Sequence, residues 1–299
     1  MGNESGDRIT FKGCYVAIVT PFKADGGLDE VGLRSNIDYL IDNGVSGLVP
    51  CGTTGESATL SWDEHMRVVD VTIEQADKRV QVIAGAGSNN TAEAVEAAVH
   101  AKKSGADAIL TITPYYNKPS QEGLYRHFSM IAEKADAPMV LYNVPGRTGV
   151  NMLPETVERL SGLPQVAAIK EASGNLTQIS EIHRLCGDRI TILSGDDALT
   201  LPILACGGTG VISVTGNILP SKMSEMVRLW LSGDHAGALK IHDELLPISQ
   251  AVFIETSPVP VKACMTEAGL AAGPVRLPLA PMLEGNKKKL LDVWKTYNK

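Results

Sequence analysis

A (β/α)8 TIM barrel with a C-terminal helical extension is the α/β fold this sequence predicts, on three observations. Eight short Val- and Ile-rich runs recur along its 299 residues. They scarcely alternate with polar residues, which is how parallel strands covered on both faces read. Their starts fall roughly 20–33 residues apart, the length of one βα unit, and eight such units close a barrel. A doubly wound sheet is the alternative, but the GxGxxG fingerprint of dinucleotide-binding folds is missing. "GAGSNN" after the third run lacks its last glycine.

Taken in order, the first strand is expected in "YVAIVT" (15–20) and the second in "GLVP" (47–50), which leads into the turn "GTTGES". Ser61 with Glu64 three residues on forms a capping box, so a helix starts there and runs through "SWDEHMRVVDVTIEQA". The third and fourth runs, "VQVIAG" (80–85) and "AILTIT" (108–113), flank the helical segment "TAEAVEAAVHAKKSG". "MVLYNV" (139–144) and "VAAIK" (166–170) supply the fifth and sixth strands, and Pro154 between them suits a first helical turn. "ITILSG" (190–195) and "GVISV" (210–214) complete the set. Gly44, Gly105, Gly162 and Gly187 each stand where a helix must stop before the next strand, as C-terminal glycines do.

From about residue 217 the pattern is helical. "SKMSEMVRLWLSG" closes the eighth unit, while "HAGALKIHDELLPISQAVF" and "KKKLLDVWKTYN" form the extension, punctuated by Pro258, Pro260, Pro274 and Pro278. The expected division is a barrel over residues 11–233 and an extension over 234–299 packed on it. A net charge of −7 and a pI of about 5.4 lack the basic face of a nucleic-acid binder. No apolar run approaches the roughly 20 residues of a membrane span. The first ten residues hold no apolar signal-peptide core, and Gly6 stands where myristoylation needs Ser or Thr. Five scattered cysteines without a CxxC pair speak against a disulfide framework or a structural zinc. The expectation is a cytoplasmic protein with no nucleic-acid or membrane partner and no metal. The sequons at Asn3 and Asn175 are then chance matches.

In such a barrel the chemistry sits at the C-terminal ends of the strands, and Lys170 ends the sixth. A lysine with its ordinary pKa of about 10.4 is neutral at pH 7 in roughly one molecule of a few thousand. Desolvation in a barrel mouth lowers that pKa and frees the amine to attack a ketone as a Schiff-base nucleophile. The competing use is an ion pair with the next residue, Glu171. Alternation along a strand points neighbours to opposite faces, so that pairing needs an irregular backbone. The turn "GTTGES" presents N–H groups suited to a carboxylate or phosphate. Its Thr53 and Thr54 hydroxyls can orient a substrate or relay protons, though the same turn also serves as an ordinary connection. Tyr115, Tyr116 and Tyr142 stand at strand ends, where a phenol can shuttle a proton or simply pack. Arg147, after "VPG", is a planar cation able to grip a carboxylate with two hydrogen bonds, or a plain surface residue.

With "GTTGES", "TPYYNKPSQEGLY", "YNVPGRTG", "IKEASGN", "LSGDD" and "GGTGVISV" in this order, the sequence resembles the dihydrodipicolinate synthase group. These are lysine-dependent, pyruvate-using aldolases related to N-acetylneuraminate lyase. The resemblance runs from about Tyr15 to "SPVPVK" near Lys262. It implies that Lys170 forms an imine with pyruvate and that Tyr142 moves the protons of carbinolamine dehydration and enamine formation. It further implies that Thr54 connects Tyr142 to Tyr116, which reaches in from a neighbouring subunit. Thr53 and its turn would hold the pyruvate carboxylate, Gly195 and Ile212 would contribute backbone groups, and Arg147 would bind the carboxylate of L-aspartate 4-semialdehyde. The implied product is 4-hydroxy-tetrahydrodipicolinate, on the route to diaminopimelate and lysine. The implied assembly is a homotetramer built as a dimer of dimers, and no metal or organic cofactor is implied.

Ser57, Ala58, Trp62, His65, Asn89, Glu93 and Tyr115 match positions that line the lysine-inhibitor cleft of regulated relatives, with Trp62 where many bacterial relatives carry histidine. A sister aldolase acting on a sugar acid would use Lys170 and Tyr142 equally well. Arg147 in "PGRTG" and Tyr116 in "YYN" favour a short substrate with its own carboxylate. A non-catalytic barrel would be expected to have lost a member of the lysine, tyrosine and threonine set, and none is missing.

Overall fold

The structure, a computed structural model, describes residues 9–297. Asn3 and Gly6, with most of the stretch on which the signal-peptide and myristoylation readings rest, lie outside the described residues, as do the last two. Among those described, eight parallel strands pair each with the next, and the eighth closes on the first. They are β1 (Gly13–Ala17), β2 (Gly47–Val49), β3 (Gln81–Gly85), β4 (Ala108–Ile112), β5 (Met139–Asn143), β6 (Val166–Glu171), β7 (Thr191–Ser194) and β8 (Gly210–Ser213). All eight expected strands are present. The first differs most from expectation, stopping at Ala17 instead of residue 20. There the side chain of Asn217 replaces a strand partner, donating to the Ala17 carbonyl (2.9 Å) and accepting from the Val19 N–H (3.3 Å).

Alternation sorts the strand residues into two apolar layers. Tyr15, Ile83, Leu110, Val140, Leu193 and Ile212 fill the barrel interior. Their neighbours Val16, Val82, Ile109, Leu141, Ile192 and Val211 pack outward against helices. Burial on both faces is why the runs read as continuously apolar.

Between strands run α1 (Glu30–Asp42), α2 (Trp62–Ala76), α3 (Thr91–Ser104), α4 (Gln121–Ala135), the single turn α5 (Pro145–Thr148), α6 (Pro154–Ser161), α7 (Leu176–Cys186) and α8 (Thr200–Ala205). Helix α9 (Pro220–Leu231) completes the eighth unit, and α10 (His235–Ala251), α11 (Val259–Glu267) and α12 (Glu284–Trp294) form the extension. Leu245, Ile248 and Val252 around α10, with Leu290 and Trp294 of α12, join the outer apolar layer, so the extension is packed on the barrel. No helix among the described residues is long and apolar enough to cross a membrane.

The capping box is formed in both directions, Glu64 N–H to Ser61 Oγ (3.2 Å) and Ser61 N–H to Glu64 Oε2 (2.9 Å). Gly105 ends α3 in the left-handed region (φ 97°). Gly162 does not do the same for α6. Its backbone stays right-handed (φ −72°), and the helix unwinds through a tighter turn in which the Leu163 N–H reaches the Leu160 carbonyl (2.9 Å). Asn90 is the N-cap of α3, and the sequon asparagine Asn175 is the N-cap of α7.

Candidate active site

Strand parity decides the competition over Lys170. In β6 the interior face takes Ala168, so Lys170 points inward and Ile169 and Glu171 point out. The Glu171 carboxylate is occupied behind the sheet. It accepts from Asn143 Nδ2 (3.2 Å to each oxygen), from the Ser173 N–H (2.8 Å) and from Gln178 Nε2 (3.5 Å). Burial raises its pKa, and these donors oppose the rise. Lys170 therefore has no part in that network.

In the barrel Lys170 is 6% exposed, with Tyr142 opposite it on β5 and Leu193 on β7. Its Nζ stands 4.3 Å from the centroid of the Tyr142 ring. Burial lowers the amine pKa to about 8; Asp197 pulls it upward and Arg147 adds to the lowering. Gly195 completes the lysine's seat. A Cβ there would lie 2.8 Å from Ala172 Cβ and 3.1 Å from Lys170 Cε, so only glycine lets the lysine pass that close. The Gly195 N–H is committed to the Glu171 carbonyl (2.8 Å). Ile212 lies in the same interior layer as Tyr142 and Leu193.

Tyr142 is buried, which raises its phenol pKa, while Arg147 and a hydrogen bond with Thr53 work against the rise. Thr54 is buried in the same turn as Thr53. Arg147 is exposed on α5 and lines, with Thr53, Tyr142 and Thr148, a cavity of about 510 Å³. Tyr116 is not on that wall. It is 89% exposed and held in a left-handed backbone (φ 73°).

Ser57, Ala58, Trp62, His65, Glu93 and Tyr115 line the same cavity. Asn89 stands behind them, donating to the Tyr115 carbonyl (3.1 Å). His65 donates from Nε2 to the Gly85 carbonyl (2.8 Å), which leaves Nδ1 to accept from the Ser57 hydroxyl (3.3 Å). Burial lowers the His65 pKa, so the ring is neutral near pH 7. Ser88 and Asn90 hold the Glu93 carboxylate (2.7 and 3.1 Å).

Four contributors were not singled out in the sequence. Asp197 accepts from the Val214 and Thr215 N–H groups (2.9 Å each) and the Thr215 hydroxyl (3.0 Å), tying the ends of β7 and β8 together near Lys170. The doublet in "LSGDD" was visible, but nothing in it tells which aspartate turns inward. Glu56 also lines the cavity, as do Thr256 and Ser257 from the segment before α11. Such contacts, made across two hundred residues, leave no periodic trace.

Residues 10–296 match the model of the Dihydrodipicolinate synthetase family. The 4-hydroxy-tetrahydrodipicolinate synthase of Pelobacter propionicus is 56% identical over 287 residues, 96% of this chain and 99% of that protein. A crystal structure of a dihydrodipicolinate synthase superposes with a TM-score of 0.94 at 53% identity, covering 96% of this chain and 99% of the other. The chloride-inhibited dihydrodipicolinate synthase of Acinetobacter baumannii, complexed with pyruvate, gives 0.95 at 40% identity, over 97% and 99%.

Proposed function

The chain belongs to the dihydrodipicolinate synthetase family, and from that premise we propose that it condenses pyruvate with L-aspartate 4-semialdehyde to 4-hydroxy-tetrahydrodipicolinate through a Schiff base on Lys170. One observation carries the assignment of the nucleophile: a lysine 6% exposed, 4.3 Å from a tyrosine ring, with its pKa lowered to about 8. The neutral amine adds to C2 of pyruvate, and loss of water gives the imine. The imine is a better electron sink than the ketone, so a proton leaves C3 and the enamine attacks the aldehyde carbon. Ring closure by the substrate's own amine then displaces Lys170.

The remaining groups take roles from chemistry and place. Tyr142 carries protons on and off the oxygen and carbon of the bound pyruvate, with Thr53 and Thr54 as hydroxyl partners. Thr53 and the N–H groups of its turn hold the pyruvate carboxylate, and Gly195 and Ile212 contribute backbone groups to the bound substrate. Arg147, at the mouth, grips the carboxylate of the semialdehyde. Tyr116, exposed, completes the relay of a neighbouring copy, so the working unit is at least a dimer and the full assembly a homotetramer in the cytoplasm. The part of the cavity around Trp62, His65 and Glu93 is read as a lysine-inhibitor site, with Glu93 offering a carboxylate to an ammonium group.

The first test is pyruvate-dependent consumption of L-aspartate 4-semialdehyde by the purified protein, with Lys170→Ala as control. Turnover and borohydride trapping of pyruvate are both lost in the variant; trapping that persists on another lysine would refute the assignment. Arg147→Ala damages semialdehyde use far more than trapping, and equal damage to both would make its role structural. An L-lysine titration without effect at millimolar concentration would remove the inhibitor reading.

A further inference from the structure

We propose that the C-terminal extension positions the Thr53–Thr54 turn through the buried pair Glu56 and Lys262, making both of them positioning residues for the reaction. The proposal rests on the reading of Thr53 and its turn as the pyruvate-carboxylate site.

Glu56 follows the two threonines and adopts the left-handed region (φ 53°, ψ 36°), a conformation disfavoured for any side chain other than glycine, asparagine or aspartate. Glutamate has no backbone reason to be there. Its carboxylate does: it is 4% exposed, with Oε1 accepting from Lys262 Nζ (2.6 Å) and Oε2 from the Arg276 N–H (3.0 Å). Lys262 donates again to the Pro274 carbonyl (2.9 Å) and stands 4.4 Å from the Phe22 ring. Arg276 packs on the same ring and grips the capping-box residue Glu64 with two hydrogen bonds (2.6 and 2.7 Å). It also donates to the Thr59 carbonyl (3.0 Å). From beyond the eighth βα unit the polypeptide between the turn and the start of α2 is therefore held at three points, Glu56, Thr59 and Glu64.

A buried ion pair is a weak source of stability, because desolvation offsets the attraction, and an apolar pair of similar volume often serves the fold as well. What it supplies here is one geometry for the turn. The Glu56 N–H closes on the Thr53 carbonyl (3.1 Å) and the Gly55 carbonyl accepts from the Thr20 hydroxyl (2.6 Å), so a shift at Glu56 is passed directly to Thr53.

The test is the double variant Glu56→Gln/Lys262→Met, which removes both charges together and keeps an acceptor for the Arg276 N–H. Melting temperature, pyruvate trapping and steady-state constants are compared with the parent. The folded variant shows a KM for pyruvate raised about tenfold, the loss expected for one displaced hydrogen bond to a charged group. Its KM for the semialdehyde stays near the parent value. A lowered melting temperature with both KM values unchanged would overturn the proposal, as would a variant kinetically identical to the parent. Should the double variant not fold, Glu56→Gln alone decides, because an unchanged KM for pyruvate in this isosteric variant is equally fatal. The parent is assayed first. If it neither traps pyruvate nor consumes semialdehyde, the functional reading falls and the positioning role falls with it.

Discussion

The lowered pKa of Lys170 makes the pH profile of imine formation the most direct measurement on this protein. The perturbation is pH itself, from 6 to 10. At a pKa of about 8 the amine is neutral at pH 7 in about one molecule of ten, against about one in three thousand for an undisturbed lysine, a gain of roughly 300-fold in competent enzyme. Trapping of pyruvate by borohydride at low pyruvate reports the free enzyme. Its rate should climb about tenfold per pH unit at the acid end, reach half its plateau near pH 8 and flatten above 9, as the protonation equilibrium requires. Two charge variants sharpen the test because they act oppositely. Asp197 pulls the lysine pKa up and Arg147 pushes it down, so Asp197→Asn moves the midpoint to lower pH and Arg147→Met to higher. A midpoint at the ordinary lysine value, or both variants moving the same way, would refute the reasoning.

Three further outcomes can be measured. Lys170→Met abolishes trapping and stabilises the fold at pH 7. A base whose pKa falls on folding is protonated more readily in the unfolded chain, so the parent carries a penalty of about 3 kcal/mol below pH 8 that fades as pH rises towards 10.5. Thermal melts of parent and variant should therefore converge at high pH. Gly195→Ala sets a methyl against Lys170 and Ala172 and lowers kcat by about 10²-fold, as ångström-scale misplacement does; unchanged single-turnover kinetics would disprove it. Hydrogen bonding from Arg276 lowers the Glu64 pKa to about 2. That contribution is complete above pH 4.5 and is lost as pH falls towards 2. It is worth at most about 3 kcal/mol in this partly screened site, so Arg276→Met flattens the acid limb of a stability–pH curve.

Much of this was readable because the barrel writes its plan locally. Each buried strand is an apolar run, each run ends where the chemistry gathers, and parity along "VAAIKEASGN" already separated Lys170 from Glu171. The caps at Ser61 and Gly105 are decided within a few residues. What escaped depends on distant partners. The end of β1 is set by Asn217, and Glu56 reads as a loop glutamate until Lys262 is placed beside it. Gly162 ends its helix where the sequence placed the stop, but by a tighter right-handed turn in place of the left-handed step of Gly105.

The spacing of those distant partners bears on how the molecule is made. Glu56 meets a lysine 206 residues later, Glu64 an arginine 212 residues later, and β1 waits for β8 to pair at Gly210. At the roughly 5–20 residues per second of ribosomal synthesis, the threonine turn exists for about 10–40 seconds before its anchor emerges. Over that interval the early parallel strands present an open edge, the arrangement most prone to pairing with the wrong neighbour. A nascent chain thus carries Lys170 well before it carries a shaped pocket, which is complete only with the final tenth or so of the polypeptide.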